Sequence, residues 1–315
     1  MADASSTAKY EALHNGIEPP SFKLPLIDNP EIVTANTLKL VEQTPDARKR
    51  FLFTTLTRYL HDFIKETKPT TEEWHGTLKF LSRAGQLSTP DRQEMELILD
   101  IFGAEALIDT INNPPKDSVT ERALLGPFFT EHTHDVSNGD SIASEGKGEY
   151  MYVDGRVVDT EGKPIANAVV DAWEADDTGH YDLQYDNGVP DCRGRLRTDA
   201  EGKFNFRAIV PIAYPLLSDG PLGELLLAMN RHNMRPSHLH IIVDAPGYEK
   251  LVTQFYPSED KWIDSDSVLG VKKSLVVDLE QVNDVESAKA LGFQHPERGF
   301  KLFKRDIVMR RKVDA

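Results

Sequence analysis

The chain has 315 residues, of which 39% are hydrophobic, and a formal net charge of -15, which fits one large globular domain or two smaller ones with buried cores. The acidic balance repels phosphate backbones, so we exclude nucleic acid as a partner. The single cysteine, Cys192, excludes an intrachain disulfide, and the lack of a signal peptide or of about eighteen consecutive apolar residues predicts a cytoplasmic protein without membrane insertion.

The first third of the chain changes from a polar arm to a helical region. Residues 1–30 are polar and contain several prolines, which predicts an extended N-terminal arm. Residues 31–115 have helical periodicity, with a capping-box pattern at Thr70 and Glu73 and an N-cap pattern at Thr89-Pro90. We predict three or four helices and treat 31–115 as a helical domain.

One predicted helix carries a stripe of large apolar side chains at three- and four-residue steps. The stripe consists of Leu52, Phe53, Leu56, Tyr59, Leu60, Phe63 and Ile64. Such a stripe either forms a local core or is buried against a second subunit. The sequence leaves both interpretations open.

Strand periodicity begins near residue 148 and defines a second domain, 116–315. Short segments that alternate or are apolar throughout are separated by turn patterns of the type Asp-x-x-Gly. These segments are 152–158, 168–173, 203–206, 241–243 and 273–278. Short strands with few helices between them predict an antiparallel β-sandwich, and the whole chain is therefore predicted to be α+β.

Two histidines stand two residues apart where the chain enters an apolar strand. Alternate strand residues point to the same face, so His238 and His240 can converge on one point. The pattern alone also fits a polar surface pair or hydrogen-bonded core histidines. Upstream, Tyr181 and Tyr214 could add two phenolates, a donor set that suits ferric iron. A second pair, His132-Thr133-His134, lies in a polar segment, and we interpret it as solvated.

Several motifs occur together in a known order. They are Gly179-x-Tyr181, Arg195-x-Arg197-Thr198-Asp199-x-x-Gly202, Pro211-x-x-Tyr214, Arg231-His232-x-x-Arg235-Pro236-x-His238-x-His240 and Thr253-Gln254. In this order they resemble the intradiol ring-cleaving dioxygenases. The helical half shares the likeness through Glu73-Trp74, Phe80-Leu81-x-x-x-Gly85 and Arg92-Gln93-Glu94.

The resemblance implies a mononuclear non-haem Fe(III) centre, one per subunit, with Tyr181, Tyr214, His238 and His240 as metal ligands. It implies a substrate that is an aromatic diol, with O2 as the second substrate. Tyr214 would accept a proton from the diol, Arg235 would stabilise charge on the ring, and Gln254 would hydrogen-bond near the iron. The helical half would form a homodimer interface that holds a phospholipid.

The segment 125–129, Leu-Gly-Pro-Phe-Phe, and the segment after Tyr214 look more like hydroxyquinol-cleaving than catechol-cleaving relatives. We expect the product to be 3-hydroxy-cis,cis-muconate, a maleylacetate precursor. The expected substrate-binding residues are Phe102, Glu105, Leu125, Gly126, Pro127, Phe128, Leu216, Leu217 and Val268. Phe102 and Glu105 would face the pocket from one helix, and Glu105 would accept a hydrogen bond from a third hydroxyl. Glu105 could equally be a solvated carboxylate, and catechol is the alternative substrate.

A hypothesis from another class rests on residues 155–170. This segment resembles the transthyretin-like sandwich modules, which are mostly binding or structural domains. Such a module would account for the strands without iron. It would not account for two tyrosines and two histidines in family order.

Overall fold

The structure, a computed structural model, describes residues 15–89, 92–115, 118–186 and 188–312. Residues 1–14 of the predicted arm and Pro90 of the predicted N-cap lie outside the described residues. Backbone contacts divide the chain into two units, Met1–Thr77 and Leu78–Ala315. The boundary near residue 115 between a helical and a sandwich domain stays a prediction.

The first unit is helical. It contains α1 (Pro30–Val41), α2 (Ala47–Thr67) and the start of α3 (Thr71–Leu87). The predicted capping box is confirmed, because the Thr70 amide donates to Glu73 Oε2 and the Glu73 amide donates to Thr70 Oγ1, at 2.7 and 3.2 Å.

The apolar stripe of α2 forms no core with the residues that the structure describes. No described residue of α2 is buried, and Leu56, Tyr59 and Phe63 are 64%, 68% and 60% exposed. A helix face of this size is rarely left in water by a monomeric protein.

The second unit contains the rest of α3 and four more helices, α4 (Glu94–Asp100), α5 (Ala104–Asn112), α6 (Pro221–Ala228) and α7 (Val285–Ala290). The described part of 31–115 therefore holds five helices, where three or four were predicted. The extra break lies at Gly103, whose φ of 74° ends one helix before α5 begins. No helix in the described ranges is long and apolar enough to cross a bilayer.

Two larger sheets and a two-stranded ribbon make up the β part. Its strands are β1 (Tyr150–Asp159), β2 (Val169–Trp173), β3 (Arg193–Arg197), β4 (Lys203–Ile209), β5 (Tyr214–Pro215), β6 (Met234–Arg235), β7 (Leu239–Asp244), β8 (Leu251–Pro257), β9 (Val276–Val277), β10 (Glu280–Val282) and β11 (Phe300–Met309). One sheet has the order β10-β11-β1-β4, the other β3-β2-β7-β8-β9, and β5 pairs with β6.

One hydrophobic core joins the inner faces of the two larger sheets. Phe255 of β8 and Phe303 of β11 meet across it with ring centroids 5.2 Å apart. The α+β class with a sandwich is thus confirmed. Two pairings differ from the antiparallel expectation, since β1 runs parallel to β11 and β8 runs parallel to β9. Neither pair is joined by a hairpin, so no turn pattern in the sequence indicated its direction.

Gly155 of β1 lies against the ring of its register partner, Phe204 of β4, which leaves no room for a side chain. A Cβ at this position would lie 2.3 Å from Phe204 Cζ, and Phe204 is fully buried. We expect Gly155→Ala to destabilise the protein by about 1–3 kcal/mol, because the ring cannot move without repacking the core. Urea unfolding followed by fluorescence measures the change.

Gly76→Ala is the matched control, since Gly76 lies in α3 with nothing within 4 Å of an added Cβ. It should leave stability unchanged or raise it slightly. Adding Phe204→Leu to Gly155→Ala should restore part of the loss. Equal stability of Gly155→Ala and the wild type would contradict the role given to the ring.

Candidate metal centre and substrate pocket

The two histidines lie at the centre of the five-stranded sheet. His240 is in β7, which is flanked by β2 and β8, and His238 directly precedes that strand. Leu239 between them belongs to the sandwich core. The imidazoles therefore project to the opposite face, as the alternation predicted.

The two tyrosines come from less regular segments. Tyr181 precedes a short 3-10 turn and donates its amide to Gln184 Oε1 at 2.9 Å. Tyr214 opens β5. Gly179 permits this approach, because its φ is 78° and a Cβ there would lie 3.1 Å from Tyr214 Cβ.

All four side chains meet in one buried cluster. Tyr181 Oη lies 3.2 Å from His238 Nε2 and 3.2 Å from His240 Nε2. The Tyr214 ring centroid is 5.4 Å from that of Tyr181 and 5.6 Å from that of His238. Each of the four residues is 5% exposed or less.

The donor atoms of this cluster converge as a set of metal ligands would. His238 Nδ1 lies 2.8 Å from the carbonyl oxygen of Pro236, which places the ring proton on Nδ1 and a lone pair on Nε2. Tyr181 Oη faces the Nε2 atoms of both histidines, and His240 Nδ1 is buried without a hydrogen-bond partner among the described residues. A cation at this point would accept lone pairs from all these donors, so the residues fit a metal ion.

The protonation states agree with that fit. Burial, helped by the nearby Arg235 cation, lowers the pKa of His238 to about 3, and burial together with His238 lowers that of His240 well below its usual value. Both imidazoles are therefore neutral, the form that binds metals. Burial and the neighbouring Tyr214 raise the pKa of Tyr181 far above its usual value, so only a cation would make this phenol a phenolate.

Arg235 and Gln254 lie on the strands next to these donors. Arg235 of β6 is the register partner of Tyr214, and its Nη1 is 3.5 Å from His238 Nε2. Gln254 of β8 is the register partner of His240. The Gln254 side chain donates to the Leu124 carbonyl and accepts from the hydroxyl of Tyr256, so its amide is held by protein groups on both ends.

Aromatic rings pack directly against the predicted ligands. Phe128 stacks on Tyr181 with centroids 4.4 Å apart, and Trp173 stacks on His240 at the same distance. Arg193 supports this packing. It binds the Asp182 carboxylate through two nitrogens, at 2.9 and 2.8 Å. It also donates to the Phe128 carbonyl at 2.7 Å. The Arg193–Asp182 pair is almost fully buried, and no spacing in the sequence distinguishes it.

A cavity of about 920 Å³ opens beside this cluster. Tyr214 and Arg235 line it, whereas Tyr181 does not. The expected substrate-binding residues that line it are Glu105, Gly126, Pro127, Phe128, Leu216, Leu217 and Val268.

Two expected pocket residues lie elsewhere. Phe102 is 62% exposed and Leu125 is 39% exposed, and neither is among the residues that line the cavity. Phe102 was placed on one helix with Glu105, but the chain turns at Gly103 and α5 begins only at Ala104. The one-turn spacing therefore does not hold.

The cavity wall contains two carboxylates that were not anticipated, Glu96 and Asp100. Their oxygens and one from Glu105 all lie within 4.8 Å of one another. Burial and the two glutamates raise the pKa of Asp100 to about 7, and burial also raises that of Glu105. Glu96 and Asp100 are one helical turn apart on α4, which is the spacing that could have suggested a shared face.

Comparison with known proteins agrees with this arrangement. Residues 124–302 match the family model described as Dioxygenase, and residues 46–120 match that of the Catechol dioxygenase N terminus. The chain belongs to the intradiol dioxygenase family. It is similar to the hydroxyquinol 1,2-dioxygenase of Rhizobium sp. (strain MTP-10005), with 43% identity over 79% of this chain and 85% of that one.

Two other similar proteins carry the names of the two candidate substrates. The catechol 1,2-dioxygenase of Candida albicans is 39% identical over 76% of this chain and 80% of that one. The structure of a hydroxyquinol 1,2-dioxygenase from Pseudomonas putida DLL-E4 superimposes with a TM-score of 0.82 at 37% identity, covering 90% of this chain and 99% of that one.

Family membership decides between the enzyme and the binding-module hypotheses. The matches cover both the helical and the β part, so the chain is an intradiol dioxygenase and the non-catalytic transthyretin-like module is ruled out.

The second histidine pair lies in a loop outside the cluster. His132 is exposed and His134 is half-buried.

Proposed function

We propose that this protein is an Fe(III)-dependent hydroxyquinol 1,2-dioxygenase that holds one iron per subunit through Tyr181, Tyr214, His238 and His240. The observation that carries the proposal is the convergence of these four buried rings beside a cavity that Tyr214 and Arg235 line. Two phenols and two neutral imidazoles are hard and borderline donors, a set that suits ferric iron better than zinc or magnesium. When bound, ferric iron would supply an electrophilic centre. The two adjacent hydroxyls of the diol would chelate it, and it would make the ring reactive toward O2.

The two tyrosines differ in their access to the cavity, which supports Tyr214 as the proton acceptor. Tyr214 lines the cavity, whereas Tyr181 is 1% exposed and is covered by the stacked ring of Phe128. Once bound iron has ionised it, the Tyr214 phenolate would be the one that takes a proton from an incoming diol. Arg235 lines the same cavity as a buried cation, positioned to stabilise negative charge on the ring.

The acidic wall of the cavity supports a triol as the substrate. Glu96, Asp100 and Glu105 can exchange hydrogen bonds with a hydroxyl that catechol lacks, and Asp100, whose pKa burial raises to about 7, can donate when protonated and accept when ionised. The same wall repels a carboxylated ring such as protocatechuate. Cleavage of hydroxyquinol between its adjacent hydroxyl carbons yields 3-hydroxy-cis,cis-muconate, a maleylacetate precursor. Catechol, giving cis,cis-muconate, is the second candidate because a similar relative bears that name.

A homodimer is part of the proposal. The stripe on α2 exposes aromatic and aliphatic side chains that a second copy would cover. An open groove in the same unit has mostly apolar walls that include Ile27, Val33 and Ile64, and we propose that it accommodates the acyl chains of a phospholipid.

Iron ligation is tested by colour. The purified, iron-loaded protein should be red-brown, because tyrosinate-to-ferric charge transfer absorbs visible light. Tyr214→Phe should weaken or shift this band at equal iron content, whereas Tyr152→Phe should not, since Tyr152 hydrogen-bonds Asn205 in the other sheet. An unchanged spectrum of Tyr214→Phe would remove Tyr214 from the ligand set.

The substrate is tested by steady-state rates on hydroxyquinol, catechol and protocatechuate. We expect the highest kcat/KM for hydroxyquinol, and Asp100→Asn should lower that value by about 10-fold, the loss of one hydrogen bond to a polar group, with little effect on catechol. Asp264→Asn, an exposed carboxylate outside the cavity lining, is the control. A preference of the wild type for catechol would make catechol the substrate.

The dimer is tested by sedimentation. The wild type should sediment as a dimer, and Leu56→Asp should shift it toward the monomer because a carboxylate would be buried in the interface. Leu227→Asp, at an 80% exposed position on α6, should leave the dimer intact. A monomeric wild type contradicts the assignment.

A further inference from the structure

A carboxylate holds one edge of the Arg235 guanidinium. Its Nε and Nη2 face the two carboxylate oxygens of Asp266, each at 3.3 Å. Nη2 also lies 3.5 Å from the hydroxyl of Tyr256. The other nitrogen, Nη1, is turned to the His238 side.

The same carboxylate organises the loop that follows it. Asp266 Oδ1 accepts from the Val268 amide at 3.3 Å, and Oδ2 accepts from the Gly270 amide at 2.9 Å. Between them Leu269 has a φ of 57°, a left-handed conformation that a leucine adopts only when its surroundings impose it. Val268 is thereby fixed as part of the cavity wall.

Loop and guanidinium are packed too closely to move independently. A Cβ at Gly270 would lie 3.2 Å from Arg235 Nη2 and 3.3 Å from Asp266 Oδ2. Asp266 is 3% exposed and does not line the cavity, so it does not meet a substrate there. Burial opposes its ionisation, but Arg235 and the loop amides outweigh that cost and hold the pKa of Asp266 below its usual value.

We infer that Asp266 is a positioning residue: one carboxylate sets which edge of the Arg235 guanidinium faces the substrate and ties that orientation to the Val268 wall. The inference rests on the proposed function, since it assigns how the catalytic cation of that reaction is aimed. A carboxylate that only neutralises Arg235 would contribute stability, without any specific effect on the chemical step.

A double-mutant cycle separates these roles. We expect Asp266→Asn to lower kcat on hydroxyquinol by about 10- to 100-fold with a smaller change in KM, because Arg235 is misaligned in the transition state. Arg235→Gln should lower it at least as much, and the double variant should match Arg235→Gln alone. Losses that multiply in the double variant, or an unchanged kcat in Asp266→Asn, would overturn the inference.

A second readout does not depend on turnover. Hydrogen exchange of residues 267–270 in the same preparations should be at least about tenfold faster in Asp266→Asn than in the wild type, because the Gly270 amide loses a charged acceptor. The matched control, Asp264→Asn, should change neither exchange nor kcat, since Asp264 is exposed. Unchanged exchange in Asp266→Asn contradicts the role in the loop.

Two further comparisons keep the outcomes distinct. If Asp266→Asn fails to fold, Asp266→Glu retains the charge but displaces it by one methylene, and it should fold with a lowered kcat; a wild-type kcat would refute positioning. Should the wild type turn over none of the diols, the proposed function fails, while hydrogen exchange still decides whether Asp266 holds the loop.

Discussion

Two imidazole lone pairs and two phenol oxygens are buried around one point, and the rest of the second unit is arranged to keep them there. Polar atoms removed from water need partners, and in this cluster the buried His240 Nδ1 has none among the described residues. His238 is fixed by the Pro236 carbonyl, and stacked rings cover Tyr181 and His240. These contacts orient the donors before any ion binds, which lowers the cost of assembling the site.

The sandwich holds the histidines rigidly, and the segments around it form much of the substrate cavity. The histidines lie in β7 and at its start, in the middle of a sheet with a shared core beneath, while part of the cavity wall is built from α4 and α5. Substitutions on these two helices can therefore alter which ring is accepted without disturbing the four converging side chains. The carboxylates of Glu96 and Asp100 both lie on α4.

The sequence predicted the parts of the site that depend on spacing and order. His238 and His240 alternate along the chain at a strand, and Tyr181 and Tyr214 precede them in family order, so the sequence predicts one set of four residues whose side chains the structure brings together. Phe102 was misplaced, because a single left-handed glycine divides what periodicity treats as one helix.

Acidic residues were harder to identify. Asp and Glu make up 51 of 315 residues, so composition does not single out Asp100 or Asp266. The partner of Asp266 comes from a distant part of the chain: Arg235 lies 31 residues before it, and the pairing depends on how β6 and the following loop fold back. The parallel pairing of β1 with β11 is likewise a property of the completed sheet.

The predicted ligand set draws on elements of very different length. His240 is anchored in a six-residue strand with neighbours on both sides, whereas Tyr214 opens the two-residue strand β5, which pairs among the described residues with the equally short β6. Local opening in proteins begins where few backbone hydrogen bonds must break together. Displacing Tyr214 would therefore open only a short ribbon, whereas displacing His240 would require a six-residue strand to leave both of its neighbours.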